Sequence, residues 1–85
     1  MSTEEKLEQI NYILTQISED TSVPRNIRRV AVSAKEILES GEGTPAVRAS
    51  NALSMLDEIS QDPNCTTHAR TKIWHAVSLL ETIHD

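Results

Sequence analysis

With 85 residues the chain amounts to one domain with a limited core, and with no Phe, one Tyr and one Trp that core has to be aliphatic and alanine-rich. A net charge of −5, from 13 acidic and 8 basic residues, favours solubility and weighs against general nucleic-acid binding, though not against a local basic patch. The single cysteine, Cys65, excludes an internal disulfide, and no apolar run approaches the roughly 20 residues that cross a bilayer.

The first residues are acidic and polar, unlike a signal peptide, so a cytoplasmic protein with no membrane contact is expected. Ser2 and Glu5 have capping-box spacing. Leu7, Ile10, Leu14 and Ile17 then recur at three- and four-residue steps, flanked by Ile13, and mark one face of a first helix. Tyr12 falls on its far side. For the second helix Ser22 is the expected cap, with Pro24 in the first turn, where a missing N–H costs nothing. Ile27, Val30, Ala31, Ala34, Ile37 and Leu38 form its stripe, and Gly41 suits a left-handed terminator. Ser40-Gly41-Glu42-Gly43 is not a phosphate-binding loop, since it lacks the lysine and follows a helix. Thr44-Pro45 starts a third helix with the stripe Ala49, Ala52, Leu53, Leu56 and Ile59. Asp62 or Asn64 is the expected cap of a fourth, striped by Ala69, Ile73, Ala76, Val77, Leu80 and Ile83.

A shift of 42 residues pairs Leu14 with Leu56, Ile17 with Ile59, Ser18 with Ser60, Asp20 with Asp62, Arg28 with Arg70, Ala34 with Ala76 and Leu38 with Leu80. One offset serves both sides of a turn, which reads as a duplicated helical hairpin. Two such units are too few for an open solenoid, which needs about three. Closing them on each other gives an all-α fold: an antiparallel four-helix bundle made of two similar hairpins, spanning residues 3–40 and 45–84 within a single domain 1–85. A domain of this size is marginal, so a self-associating surface would add burial and a homodimer is one option.

The runs Glu19-Asp20-Thr21-Ser22-Val23-Pro24-Arg25-Asn26-Ile27-Arg28-Arg29, Pro45-Ala46-Val47-Arg48-Ala49, Leu56-Asp57-Glu58-Ile59-Ser60-Gln61-Asp62-Pro63-Asn64 and His68-Ala69-Arg70-Thr71-Lys72-Ile73-Trp74 resemble a small archaeal protein family of unassigned function. The resemblance covers most of the chain and implies an archaeal, cytoplasmic, all-helical protein. It brings no catalytic or binding residues with it.

An up-and-down bundle puts the starts of the second and fourth helices at one end. Arg25, Arg28 and Arg29 then stand at one start, with Arg70 and Lys72 near the other. Cations there oppose the helix dipole by roughly 0.3–1 kcal/mol each when exposed. Two readings follow. An anion such as phosphate, a nucleic-acid backbone or an acidic peptide binds there, or Glu19, Asp20 and Asp62 simply pair with the arginines in weak surface ion pairs. Val32 and Trp74, equivalent under the shift, lie off their stripes with Arg28 and Arg70 one turn earlier. Trp74 either seals the bundle edge beneath Arg70, with a cation–π contact, or anchors a partner.

Other chemistry is sparse. Cys65, His68 and His75 lack the compact carboxylate or second cysteine of a metal site. Cys65 has no spaced base, and Asp57-Glu58 point in different directions on a helix. His84 is placed toward the core side near a frayed end. Neither second helix of a hairpin has a base-reading face. The expectation is a non-catalytic protein-interaction module or adaptor without cofactor, contacting an unknown protein through Arg25, Arg28, Arg29, Arg70, Lys72 and Trp74. The alternative is an RNA- or ribonucleoprotein-associated protein using the same arginines.

Overall fold

Helices begin where a side chain or a proline can stand in for missing intrahelical partners, and four such points organise this chain. The computed structural model describes residues 1–85 as α1 (Thr3–Glu19), α2 (Arg25–Glu39), α3 (Pro45–Ser60) and α4 (Thr67–Leu80), with no strand. Ser2 and Glu5 form the capping box of α1, the Ser2 hydroxyl accepting from Glu5 N at 3.1 Å. Thr44 caps α3 through Val47 N, with Pro45 in the first turn.

The other two starts differ from the sequence reading. Helix α2 is entered through Pro24, with no side-chain cap; Ser22, two residues before it, lies in the turn and donates its hydroxyl and amide to Asp20 Oδ1, at 2.6 and 2.9 Å. Helix α4 is capped by Thr66, which accepts from Ala69 N; Asp62 instead accepts from Asn64 N at 2.8 Å and folds the loop. Asp and Asn favour such local turns as much as caps, so a cap-competent residue two to four positions early is captured by the turn. Gly41 and Gly43 both have left-handed φ, +73° and +75°, and reverse the chain between α2 and α3.

Each helix packs on two neighbours, α1 on α2 and α4, and α3 on α2 and α4, whereas no Cα of α2 comes within 8 Å of α4. Neighbours run antiparallel. Along α1 from Asn11 to Thr15, the partner on α2 moves back from Glu39, at 3.2 Å, to Lys35, at 2.7 Å. Likewise Lys6 Nζ bonds Thr82 O while Asp20, at the other end of α1, meets His68.

Both hairpins supply one interior. Leu14, Ala34, Leu56 and Leu80 all lie in a single buried cluster of 17 residues. Burying a leucine or isoleucine contributes about 1.5–3 kcal/mol. Six alanines, Ala31, Ala34, Ala49, Ala52, Ala69 and Ala76, let the helix backbones approach. Val30, Leu38, Leu53, Ile59 and Val77 edge this core half-buried. The last stripe outlasts its helix: α4 ends at Leu80, yet Ile83 is buried. His84 is exposed, not turned to the core, because the chain has left the helical register there. No helix is long and apolar enough to cross a membrane.

Candidate functional site

The repeat survives in three dimensions at the pole where α1 and α3 end and α2 and α4 begin. Asp20 Oδ1 accepts from Ser22 N at 2.9 Å, and Asp62 Oδ1 from Asn64 N at 2.8 Å. Val23 N donates to Asp20 O, and Cys65 N to Asp62 O. Arg28 Nε donates to Val23 O at 2.9 Å. Its counterpart Arg70 reaches three loop carbonyls, Ser60 O at 2.9 Å, Cys65 O at 3.3 Å and Asp62 O at 3.4 Å. Both arginines are half-buried and fasten the turn that precedes their own helix.

The loops are also tied to each other. Asn26 Nδ2 donates to Asp62 Oδ2 at 3.0 Å, and His68 Nε2 lies 3.1 Å from Asp20 Oδ2. The pair His68–Asp20 is the one contact of the chain between a basic and an acidic side chain, an ion pair when the imidazole carries two protons, its members 49 % and 29 % exposed. The Ser22 hydroxyl and amide, and to a lesser degree His68, hold the Asp20 carboxyl down at about 2. A similar carboxylate closes the opposite pole: Asp85 Oδ1 accepts from Ala46 N at 3.0 Å, which, with the Thr44 hydroxyl, holds it below the usual range.

This geometry divides the expected cationic surface. Arg28 through Nε, and Arg70 through Nε and one terminal nitrogen, brace backbone carbonyls, and the terminal nitrogens of Arg28 have no protein partner. Glu19, Asp20 and Asp62 pair with none of the arginines; the two aspartates are occupied by Ser22, His68, Asn26 and Asn64. Arg25 and Arg29 are exposed on the outer side of α2, lining a shallow groove with Arg28, Val32, Ser33 and Glu36. Lys72 is half-buried on α4, and Trp74 is 57 % exposed on the same helix. Because α2 and α4 are diagonal in the bundle, these residues form two separate faces, not one.

The pole brings a serine, a histidine and an aspartate together, but not as a nucleophile set. The Ser22 hydroxyl donates to Asp20, and the same nitrogen of His68 faces both Ser22 Oγ, at 3.4 Å, and Asp20. A serine nucleophile needs the histidine between hydroxyl and carboxylate, one nitrogen for each. Cys65 is buried, and burial pushes its thiol up despite Arg70 nearby, which makes it a weak nucleophile. No three His, Cys, Asp or Glu side chains gather in a group able to hold a metal ion. The sequence reading missed the role of Asn26 and His68, whose signal was their equivalence under the 42-residue shift.

Comparison with known proteins agrees with this architecture. A UPF0147 protein of Desulfurococcus amylolyticus is 51 % identical over 85 residues, covering 100 % of this chain and 93 % of the relative. One from Sulfurisphaera tokodaii is 54 % identical over 82 residues, covering 96 % and 92 %. The relatives are archaeal. The crystal structure of MMP1188, a protein of unknown function, superposes with a TM-score of 0.94 at 49 % identity, covering 99 % of this chain and 96 % of that one. A UPF0147 structure from Thermoplasma acidophilum gives 0.90 at 34 % identity, covering 95 % of each. The family described as "Uncharacterised protein family (UPF0147)" matches residues 1–83, and the chain belongs to that family.

Proposed function

We propose that the chain is a non-catalytic adaptor of the archaeal cytoplasm that engages a protein partner through the outer face of α4, centred on Trp74. The observation that carries this reading is the exposure of Trp74, the only tryptophan, with more than half of its surface in water on a regular, well-packed helix. Trp and Arg are enriched where partners bind most strongly, because a large rigid ring desolvates much area at little entropic cost. Val77 follows Trp74 by three residues on the same helix, so a half-buried apolar residue neighbours the ring. The non-catalytic part of the reading is supported by the Ser22 hydroxyl, whose hydrogen is given to a carboxylate, and by the burial of Cys65.

Affinity capture from archaeal extract tests it, with the native chain, Trp74→Ala and Tyr12→Ala as baits. Tyr12 is 66 % exposed and serves as the aromatic control. The expected result is one set of proteins recovered by the native and Tyr12→Ala chains and lost with Trp74→Ala. Equal recovery by Trp74→Ala overturns the reading.

A further inference from the structure

The diagonal helix carries a face of different chemistry. Arg25 and Arg29 stand one turn apart, about 6 Å along the axis, both exposed and with no carboxylate within ion-pair distance. Arg28 lies beside them with its Nε on Val23 O, which fixes that guanidinium against the loop. The groove these three line continues past Val32 and Ser33 and ends at Glu36.

We infer that this outer face of α2 is a docking strip for the phosphate backbone of single-stranded RNA. Charge complementarity carries the assignment: the exposed guanidinium groups of Arg25 and Arg29 and the terminal nitrogens of Arg28, none paired with a carboxylate, form a fork array suited to phosphate oxygens. Val32, 43 % exposed, is the only exposed large hydrophobic residue of the strip. The buried centre of a protein interface is poorer in charge and more apolar than this strip, whereas a phosphate chain needs no apolar centre. The Ser33 hydroxyl, in the same groove, offers a donor and acceptor to a ribose 2′-hydroxyl, the group that separates RNA from DNA. Because α2 and α4 do not meet, RNA on one face leaves Trp74 free on the other. The inference therefore stands whether or not Trp74 contacts a protein.

Fluorescence anisotropy of the full chain with a labelled oligouridylate, across a salt series, tests it. Three phosphate contacts give a slope of log affinity on log salt of about −2, since each contributes about −0.7 on a single strand. Arg25→Gln/Arg29→Gln should weaken binding at least about tenfold and bring the slope to about −0.7, with unchanged helical circular dichroism. Trp74→Ala should bind as the native chain does. Lack of binding at low salt, or equal binding by the double variant, overturns the strip. Tighter binding of oligothymidylate overturns the assignment to RNA. Displacement of the RNA by polyglutamate, at equal charge concentration, overturns it in favour of an acidic protein.

Discussion

Asn26 and His68 occupy the same position in the two hairpins, and each bonds the aspartate of the other: Asn26 to Asp62 at 3.0 Å, His68 to Asp20 at 3.1 Å. The pole is thus closed by a pseudo-twofold clasp in which each turn, folded by its own aspartate, also holds the opposite hairpin. A serine, a histidine and two acids converge there as parts of this clasp, bonded to each other and to backbone groups.

The clasp should show as a small coupling between hairpins. A double-mutant cycle on Asp20→Ala and His68→Ala should give a small but non-zero coupling, because the pair is partly exposed and screened. Urea unfolding near pH 6 measures it, and 1 M salt should reduce it. The Asn26/Asp62 cycle should be less salt-sensitive, since asparagine is uncharged. A coupling of zero in both cycles contradicts the clasp.

Acid stability follows from Asp20. Its folded-state value of about 2 lies below the ordinary 3.8, so the unfolded chain binds more protons between those values and stability rises with pH across that window. The contribution is complete above about pH 4 and is lost as pH falls toward 2. Urea midpoints of the native chain and Asp20→Asn at pH 5, 3 and 2 check this. The native chain should lose more stability on acidification, and the gap between the two should narrow.

Arg28 and Arg70 should behave as structural residues. Arg70 holds three carbonyls and Arg28 one, so Arg70→Ala should cost more, about 1.5–3 kcal/mol from charged hydrogen bonds to the loop. Arg70→Lys should recover little of it, because a point charge cannot span the same carbonyls. Chemical denaturation provides the comparison. A smaller loss for Arg70→Ala than for Arg28→Ala would count against the assignment.

The connection between hairpins needs both of its glycines. Gly41→Ala and Gly43→Ala each force a side chain into a left-handed conformation, at about 1 kcal/mol. A Cβ at Gly43 meets Val47 Cγ1 at 3.4 Å, an ordinary contact, and one at Gly41 meets nothing within 4 Å, so neither variant adds a clash to the backbone strain. Thermal unfolding should show both variants destabilised by similar amounts, and an unchanged midpoint in either would contradict the need for a left-handed residue there.

What the sequence made legible was periodic or local. The stripes of Ile10, Leu14, Ala34, Leu56 and Leu80 follow helical spacing, and the starts at Ser2 and Thr44 sit next to the helices they cap. The starts of α2 and α4 misled because Ser22 and Asp62 lie in turns that precede the helices, held by the Asp20 and Asp62 carboxylates. The division of the arginines was not legible. Whether Arg70 faces Trp74 or a loop carbonyl depends on where Ser60, Asp62 and Cys65 point their oxygens, a property of the folded loop that no spacing encodes. The Asn26/His68 equivalence was present in the repeat but hidden by unlike residues.

Fluorine NMR of the chain grown with fluorotryptophan bears most directly on the adaptor reading, since Trp74 alone gives the signal. In archaeal extract the resonance should shift or broaden relative to the purified chain, and return when excess unlabelled native chain is added but not when Trp74→Ala is added. A resonance that keeps the position and width of the purified chain throughout would contradict a partner at Trp74.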